Sequence, residues 1–467
     1  MAYVKQSWVN KPNLSTPMSA ARLNHIEDGI EDAHGVPVTR IVTYCHGGNI
    51  SNHGAKRTPE TGTWTQFGFR HVIKLPATTT RWRIRLRNYD TFFLANGTAP
   101  LTGTSIIVGE QVAPGSEGNS GNFRPGTAVT VVPGPFTVPN TTAFYESPWF
   151  TAADRQFVEG QTYVIGWGAT SAAQQLMAGT GEAFVFPVAA DATNPATSAP
   201  APLVGNSMRG VPIDFQLEYE STTTKSAWLF LGDSIMEGYT GVLGNSQAAI
   251  RPYPTYNAYP GLWGANARAI TQNLAQFASN STQWATLSED RWTRTNLANA
   301  FFDGAVLGVG SNDCASGVAL ATYKANMATI ISKVRSIIGA SKPIYLTNII
   351  GRSNITAANR ALYNDWISTL PFDVAGVVDF DGTLTVSGGS TLDANLSADN
   401  VHPNATGHAT MAAVLGGTVF PNQSGVPGGA LQLGLAPGTA MAGNKLQVVT
   451  SLPTSGQIPG AWYGVKA

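Results

Sequence analysis

Cysteine is nearly absent: the 467 residues contain two, Cys45 and Cys314. They fall in segments expected to fold as separate domains, which excludes a disulfide framework and leaves two buried free thiols as the expectation. Charge is scarce and carries no bias. Lys+Arg and Asp+Glu both number 28, charged residues are 12% of the chain, and the formal net charge is zero. A polybasic surface for nucleic acid or for an anionic membrane is therefore excluded, as is the high charge of a disordered chain. No apolar run approaches the length of a membrane span. The opening Met1-Ala-Tyr-Val-Lys-Gln-Ser-Trp-Val-Asn10 lacks the apolar core of a secretion signal. Glycine (50) and proline (28) are plentiful instead, a composition of short strands and loops rather than helical bundles. This length suffices for two or three domains with separate cores.

Three stretches carry chemistry. Trp228-Leu-Phe-Leu231 is a short apolar run, a buried strand that breaks at Gly232-Asp-Ser234 before a helix. A serine at such a strand-to-helix turn lies at the carboxyl edge of a sheet, where open α/β sheets place their ligands. Backbone N–H groups at the helix start can hold an oxyanion there. Asp303-Gly-Ala-Val-Leu-Gly-Val-Gly-Ser-Asn-Asp313 is a second such strand, and its Asn312 supplies an amide donor. Asp399-Asn-Val-His402-Pro403 then reads as the opening of a helix with proline in its first turn. An acid and a histidine three apart can reach each other, so Asp399 would orient His402 and His402 would take the Ser234 proton.

In this order, and after successive strands, Ser234, Asn312 and Asp399-x-x-His402 resemble the SGNH (GDSL) hydrolase family over roughly residues 223–421. The resemblance implies a three-layer α/β/α domain with a flavodoxin-like parallel sheet and a serine esterase activity that needs neither metal nor organic cofactor. It implies an oxyanion hole made by the Ser234 backbone N–H, the Asn312 side chain and a backbone N–H from a Gly-x-Ser-Gly-x-Thr-like turn. The best match to that turn is Gln276-Phe-Ala-Ser-Asn-Ser-Thr282, which puts Asn280 where the family has glycine. Asp233 and Asp313, beside the motif residues, read as carboxylates that hold their loops, and His408 as structural. Further elements of the domain are helices over 261–277, 318–338 and 357–370 and strands over 343–349 and 374–380, with a Tyr/Pro/Asn-rich insertion over 241–260.

Ahead of this domain, residues 36–222 read as short strands bounded by Gly, Pro, Asn and Thr: 40–44, 64–75, 80–86, 104–108, 128–132, 162–168, 183–188 and 212–219. The expectation is a β-sandwich, jelly-roll-like, with Asn194–Pro202 as a surface loop. Core packing is the first reading of Trp64, Trp82, Trp149 and Trp167, with a sugar platform as the second. Cys45, His46 and His53 have ligand chemistry but no fourth partner at metal-site spacing. Residues 1–35 give a lead-in and a short helix whose Met18, Leu23, Ile26 and Ile30 share a face. Such a helix is marginal alone. Thr16-Pro-Met-Ser-Ala-Ala-Arg-Leu-Asn-His-Ile-Glu-Asp-Gly-Ile30 is similar to the start of bacteriophage tail, baseplate and receptor-binding proteins. Residues 422–467 read as a small β appendage.

Together the two resemblances imply a tail-associated esterase of the virion that acts on host-envelope esters. O-acetyl groups of surface polysaccharide come first and cell-wall lipid esters second. They also imply tail or baseplate proteins as partners and a homotrimer, with no nucleic acid and no membrane insertion. The alternative from another class is a non-catalytic receptor-binding tail protein that carries a disused hydrolase domain.

Overall fold

The computed structural model of the protein describes residues 42–46, 64–90, 95–97, 99–112, 122–175, 178–179, 183–186, 209–210, 213–223, 225–240, 258–387, 389–397, 399–419, 447–449 and 463–465. The helix expected within 1–35, the loop over 194–202, residues 241–257 of the insertion, His53 and the side chains of Cys45 and His46 lie outside them. The chain divides into two units, Met1–Gly425 and Val426–Ala467. In the second, strands Gln447–Val449 and Tyr463–Val465 pair in parallel.

The N-terminal strands form two antiparallel sheets. One contains Val42–His46, Ile213–Ser221 and Arg81–Asp90; the other contains Ala183–Phe186, Trp64–Lys74, Thr162–Gln175, Leu101–Glu110 and Val129–Val132. Along Arg81–Asp90 the residues alternate by face, as a pleated strand requires. Trp82, Ile84 and Leu86 join Phe69, Ile106, Ile165 and Trp167 of the other sheet in one core. The arginines between them point the other way, where Arg81, Arg83, Arg85 and Arg87 face Glu220, Glu218, Gln216 and Asp214 in register. Each of these pairs is hydrogen-bonded. The inner end of this ladder is covered by the following domain. Arg87 also bonds Asp290, Arg294 reaches Asp214 at 3.0 Å, and Asn296 reaches Glu218 at 3.0 Å. Arg87 and Asp214 have no exposed side-chain surface, and buried charges are tolerated only when paired in this way.

That following domain is built on five parallel strands: β1 (Ala227–Gly232), β2 (Ile270–Asn273), β3 (Gly304–Gly308), β4 (Ile344–Thr347) and β5 (Gly376–Val378). Their spatial order is 2-1-3-4-5, the flavodoxin-like arrangement. Among the described residues eight α-helices accompany them: α1 (Ser234–Glu237), α2 (Tyr259–Ala267), α3 (Ser281–Ala285), α4 (Ser311–Ala315), α5 (Leu320–Ile338), α6 (Ala357–Ser368), α7 (Asp381–Leu384) and α8 (Ala405–Thr418). Every residue of β1 is buried. Trp228 and Phe230 pack with Trp263 of α2 and Met411 and Leu415 of α8. Leu229 and Leu231 pack with Tyr323, Met327 and Ile330 of α5 and Tyr363 of α6. The alternation along one strand thus assigns a helical layer to each face.

Two expected elements are corrected. The 261–277 segment is not one helix: α2 stops at Ala267, Arg268 turns in the left-handed region (φ 52°), and β2 follows. Nor do Asp399–Pro403 open a helix. They form a turn in which Asn400 has φ 58°. Asn404 is the N-cap, its side chain accepting from Gly407 N–H, and α8 begins at Ala405. Trp82, Trp167, Trp263, Trp284 and Trp292 are all core residues. Trp149 is half-buried, with the Arg81 and Arg83 guanidinium groups 4.5 and 4.9 Å from its ring.

Candidate active site

In the 2-1-3-4-5 order, β2 and β3 flank β1 on opposite sides. The resulting crevice opens at the carboxyl ends of β1 and β3, where such sheets bind ligands. β1 ends at Gly232, where an added Cβ would come within 2.7 Å of Met236 Cβ and 3.0 Å of Gly308 O. Glycine therefore allows the turn to close against β3. Asp233 caps α1 by accepting the Ile235 N–H at 2.9 Å, and Ser234 is the first residue of that helix. The Ser234 N–H has no acceptor among the described residues, which leaves a donor at the start of a helix, where negative charge is favoured.

Ser234 Oγ is 3.0 Å from His402 Nε2, and His402 Nδ1 is 2.7 Å from Asp399 Oδ2. The other Asp399 oxygen accepts the N–H groups of Val401 (2.9 Å) and His402 (2.7 Å). Burial alone would push the Asp399 carboxyl up. The hydrogen bonds and charge of His402, with the Val401 N–H, outweigh it and hold the carboxyl below the usual range. Ser397 Oγ donates to His402 O at 2.8 Å and ties down the far side of the turn.

Asn312 lies in α4, just past β3. Its Nδ2 donates to Ser279 O at 2.9 Å, and its Oδ1 accepts from Arg352 Nη1 at 3.1 Å. An amide has two N–H bonds, so one remains to serve an oxyanion. Asn280 is placed differently from the sequence expectation. It is the N-cap of α3, in a capping box: its N–H donates to Gln283 Oε1 and its Oδ1 accepts the Gln283 N–H, both at 3.0 Å. That engagement removes the Asn280 N–H from the set of open donors. The left-handed residue of this turn is Ala278 (φ 57°). Asp313 holds the turn from the other side, accepting from the Ser281 N–H and hydroxyl.

Sequence reasoning passed over three further residues. The Tyr239 ring stands edge-on to His402 with centroids 4.5 Å apart, and Phe277 lies near-parallel to the imidazole at 6.4 Å. Arg352 reaches both Ser311 and Asn312. His408 is buried in α8 with its Nε2 3.3 Å from Tyr239 O, so it supports the segment bearing one aromatic wall. Among the described residues no three His, Cys, Asp or Glu side chains gather as a metal site, and no helix is long and apolar enough to cross a membrane.

Asp233 gives a prediction about pH. Burial raises its carboxyl to about 6, against opposing contributions from the Ile235 N–H, Arg352 and His402. A carboxyl whose pKa is raised on folding stabilises the fold fully below its unfolded value of 3.8, and that contribution is lost as pH rises through about 6. Asp233→Asn cannot ionise, so its stability relative to the wild type should grow between pH 4 and pH 7, by about 2–3 kcal/mol. Urea unfolding at the two pH values measures this. A stability difference that does not change with pH would contradict it.

Residues 230–410 match the model of the GDSL-like Lipase/Acylhydrolase family. This stretch is a GDSL-like lipase/acylhydrolase domain. No curated protein matches the chain. Among solved structures, the chain is similar to a family two carbohydrate esterase from Clostridium thermocellum in complex with cellohexaose (14% identity, TM-score 0.35, covering 80% of this chain and 96% of that one). It is also similar to a carbohydrate esterase family 2 enzyme with a carbohydrate binding domain from Corynascus thermopiles (12%, TM-score 0.34, 80% and 97%). A third is a GDSL-like lipase from Bacteroides thetaiotaomicron (16%, TM-score 0.31, 41% and 85%).

Proposed function

We propose that the protein is a serine ester hydrolase acting on acyl esters. The observation that carries this reading is the continuous chain from Ser234 Oγ through the His402 ring to Asp399, at 3.0 and 2.7 Å. Ser234 Oγ attacks the ester carbonyl carbon while His402 Nε2 takes its proton. The negative charge that develops on the carbonyl oxygen meets the Ser234 N–H and the second Asn312 N–H. Collapse of the tetrahedral intermediate breaks the bond to the alcohol oxygen, which leaves with the proton from His402. Water then attacks the acyl-serine by the same route and releases the acid and free Ser234. Asp399 holds the Nδ1–H and stabilises the imidazolium without itself taking the proton. None of these steps calls on a metal or an organic cofactor.

The proposed substrates are O-acetyl groups of a host surface polysaccharide, ahead of cell-wall lipid esters. Tyr239 and Phe277 support a sugar alcohol, since they put aromatic surface beside the His402 ring that protonates the leaving oxygen. The tail-like pattern of residues 16–30 supports placement in a virion tail or baseplate, alongside other tail proteins and as a homotrimer. Light scattering that gave a monomer would count against the trimer. Incubating the protein with an O-acetylated polysaccharide and measuring free acetate tests the substrate. Acetate release, with p-nitrophenyl acetate cleaved faster than p-nitrophenyl octanoate, is expected. Preference for the octanoate, with no acetate from the polymer, would instead favour a lipid ester.

A further inference from the structure

Arg352 differs in its partners from four buried arginines of the protein. Arg87, Arg291, Arg294 and Arg360 each pair with a carboxylate. Arg352 is half-buried and its hydrogen bonds, among the described residues, go to neutral acceptors: Nε to Asn354 Oδ1 at 2.7 Å, and Nη1 to Ser311 Oγ and Asn312 Oδ1 at 3.1 Å each. Burial lowers its pKa, while the Asp233 and Asp399 charges oppose that effect, so the cation lies within the field of the site. Its loop is tied to the histidine turn by the Ser353 N–H, which donates to Asn400 O at 2.9 Å.

A guanidinium only donates hydrogen bonds. The Asn312 atom facing it must therefore be the carbonyl oxygen, and the opposite face of the amide must carry the N–H bonds. We propose that Arg352 is a positioning residue for the reaction, fixing the orientation of the Asn312 amide and polarising it so that one N–H is presented to the oxyanion. This inference rests on the serine-hydrolase reading above. A side chain that can rotate freely delivers that donor only part of the time. An amide whose carbonyl is held by a cation also donates more strongly, because hydrogen bonds in a chain polarise one another.

Loss of an oxyanion donor costs roughly 10²–10³-fold in kcat, which sets the ceiling for a residue acting through Asn312. Arg352→Met is expected to lower kcat for p-nitrophenyl acetate by about 10–100-fold, with KM changed less than about twofold because the oxyanion exists only in the transition state. Arg352→Lys, which keeps the charge and one donor, should recover part of the loss. The deciding comparison is the double variant Asn312→Ala/Arg352→Met. If Arg352 acts through Asn312, it is no slower than Asn312→Ala alone; multiplication of the two losses would overturn the proposal. A crystal structure of Arg352→Met supplies a readout independent of turnover. The amide should leave its position on Ser279 O or be disordered, and an unmoved Asn312 would overturn the positioning role. Failure of the hydrolase reading looks different, since then the wild type itself shows no turnover.

Discussion

Ser234→Ala is expected to reduce hydrolysis of p-nitrophenyl acetate to background while leaving the fold intact. Loss of the nucleophile in a hydrogen-bonded triad lowers kcat by at least about 10³-fold. The structural change is small. Oγ hydrogen-bonds only His402 among the described residues, and alanine is well suited to the first turn of a helix. The cap on α1 comes from Asp233 and is untouched. The expected result is therefore a variant with wild-type circular dichroism, a melting temperature within a few degrees and background turnover. Near-wild-type turnover would remove Ser234 from the mechanism.

His402→Ala and His408→Ala separate the two histidines of this region. His402→Ala should lose at least about 10³-fold in kcat, because among the described residues only His402 is hydrogen-bonded to the Ser234 hydroxyl. In the wild type kcat/KM should fall as pH falls, since only the neutral imidazole can act as base. Asp399 is held below the usual carboxylate range by its bonds to His402 and Val401. Asp399 therefore stays ionised in the active enzyme, so the acid limb should show a single proton. His408→Ala should keep both the turnover, within about tenfold, and that limb, because its contact is with the Tyr239 carbonyl rather than with Ser234. Its cost should appear in stability, as deletion of a fully buried side chain leaves a cavity. An inactive His408→Ala with an active His402→Ala would reverse the assignment.

The parts legible in the sequence are those whose causes are local. β1 and β3 are short apolar runs closed by glycine, and Asp399 and His402 are three residues apart, close enough to bond within one turn. The alternation of the N-terminal strands likewise announces their faces, as in Arg81–Asp90. β2 was hidden because Ile-Thr-Gln-Asn is too short and polar for an apolar-run criterion; its extended form follows from pairing with β1. Asn280 was misplaced because a single side chain, Gln283, closes a capping box on it. The arginine ladder depends on a register between strands more than 120 residues apart, and Arg352 reaches Asn312 from 40 residues away. Neither distance leaves a trace in local pattern. The spacing of Asn280 and Gln283, three residues apart ahead of a helix, is the local signal of that capping box.

Covalent labelling reports directly on whether Ser234 is a nucleophile activated by His402. The purified protein is treated with a fluorophosphonate, digested, and the adduct mapped by mass spectrometry, alongside Ser234→Ala and His402→Ala. One stoichiometric adduct is expected on Ser234, absent from the first variant and formed far more slowly in the second. An unlabelled Ser234 in folded protein, or an adduct on another serine that persists in Ser234→Ala, would contradict it.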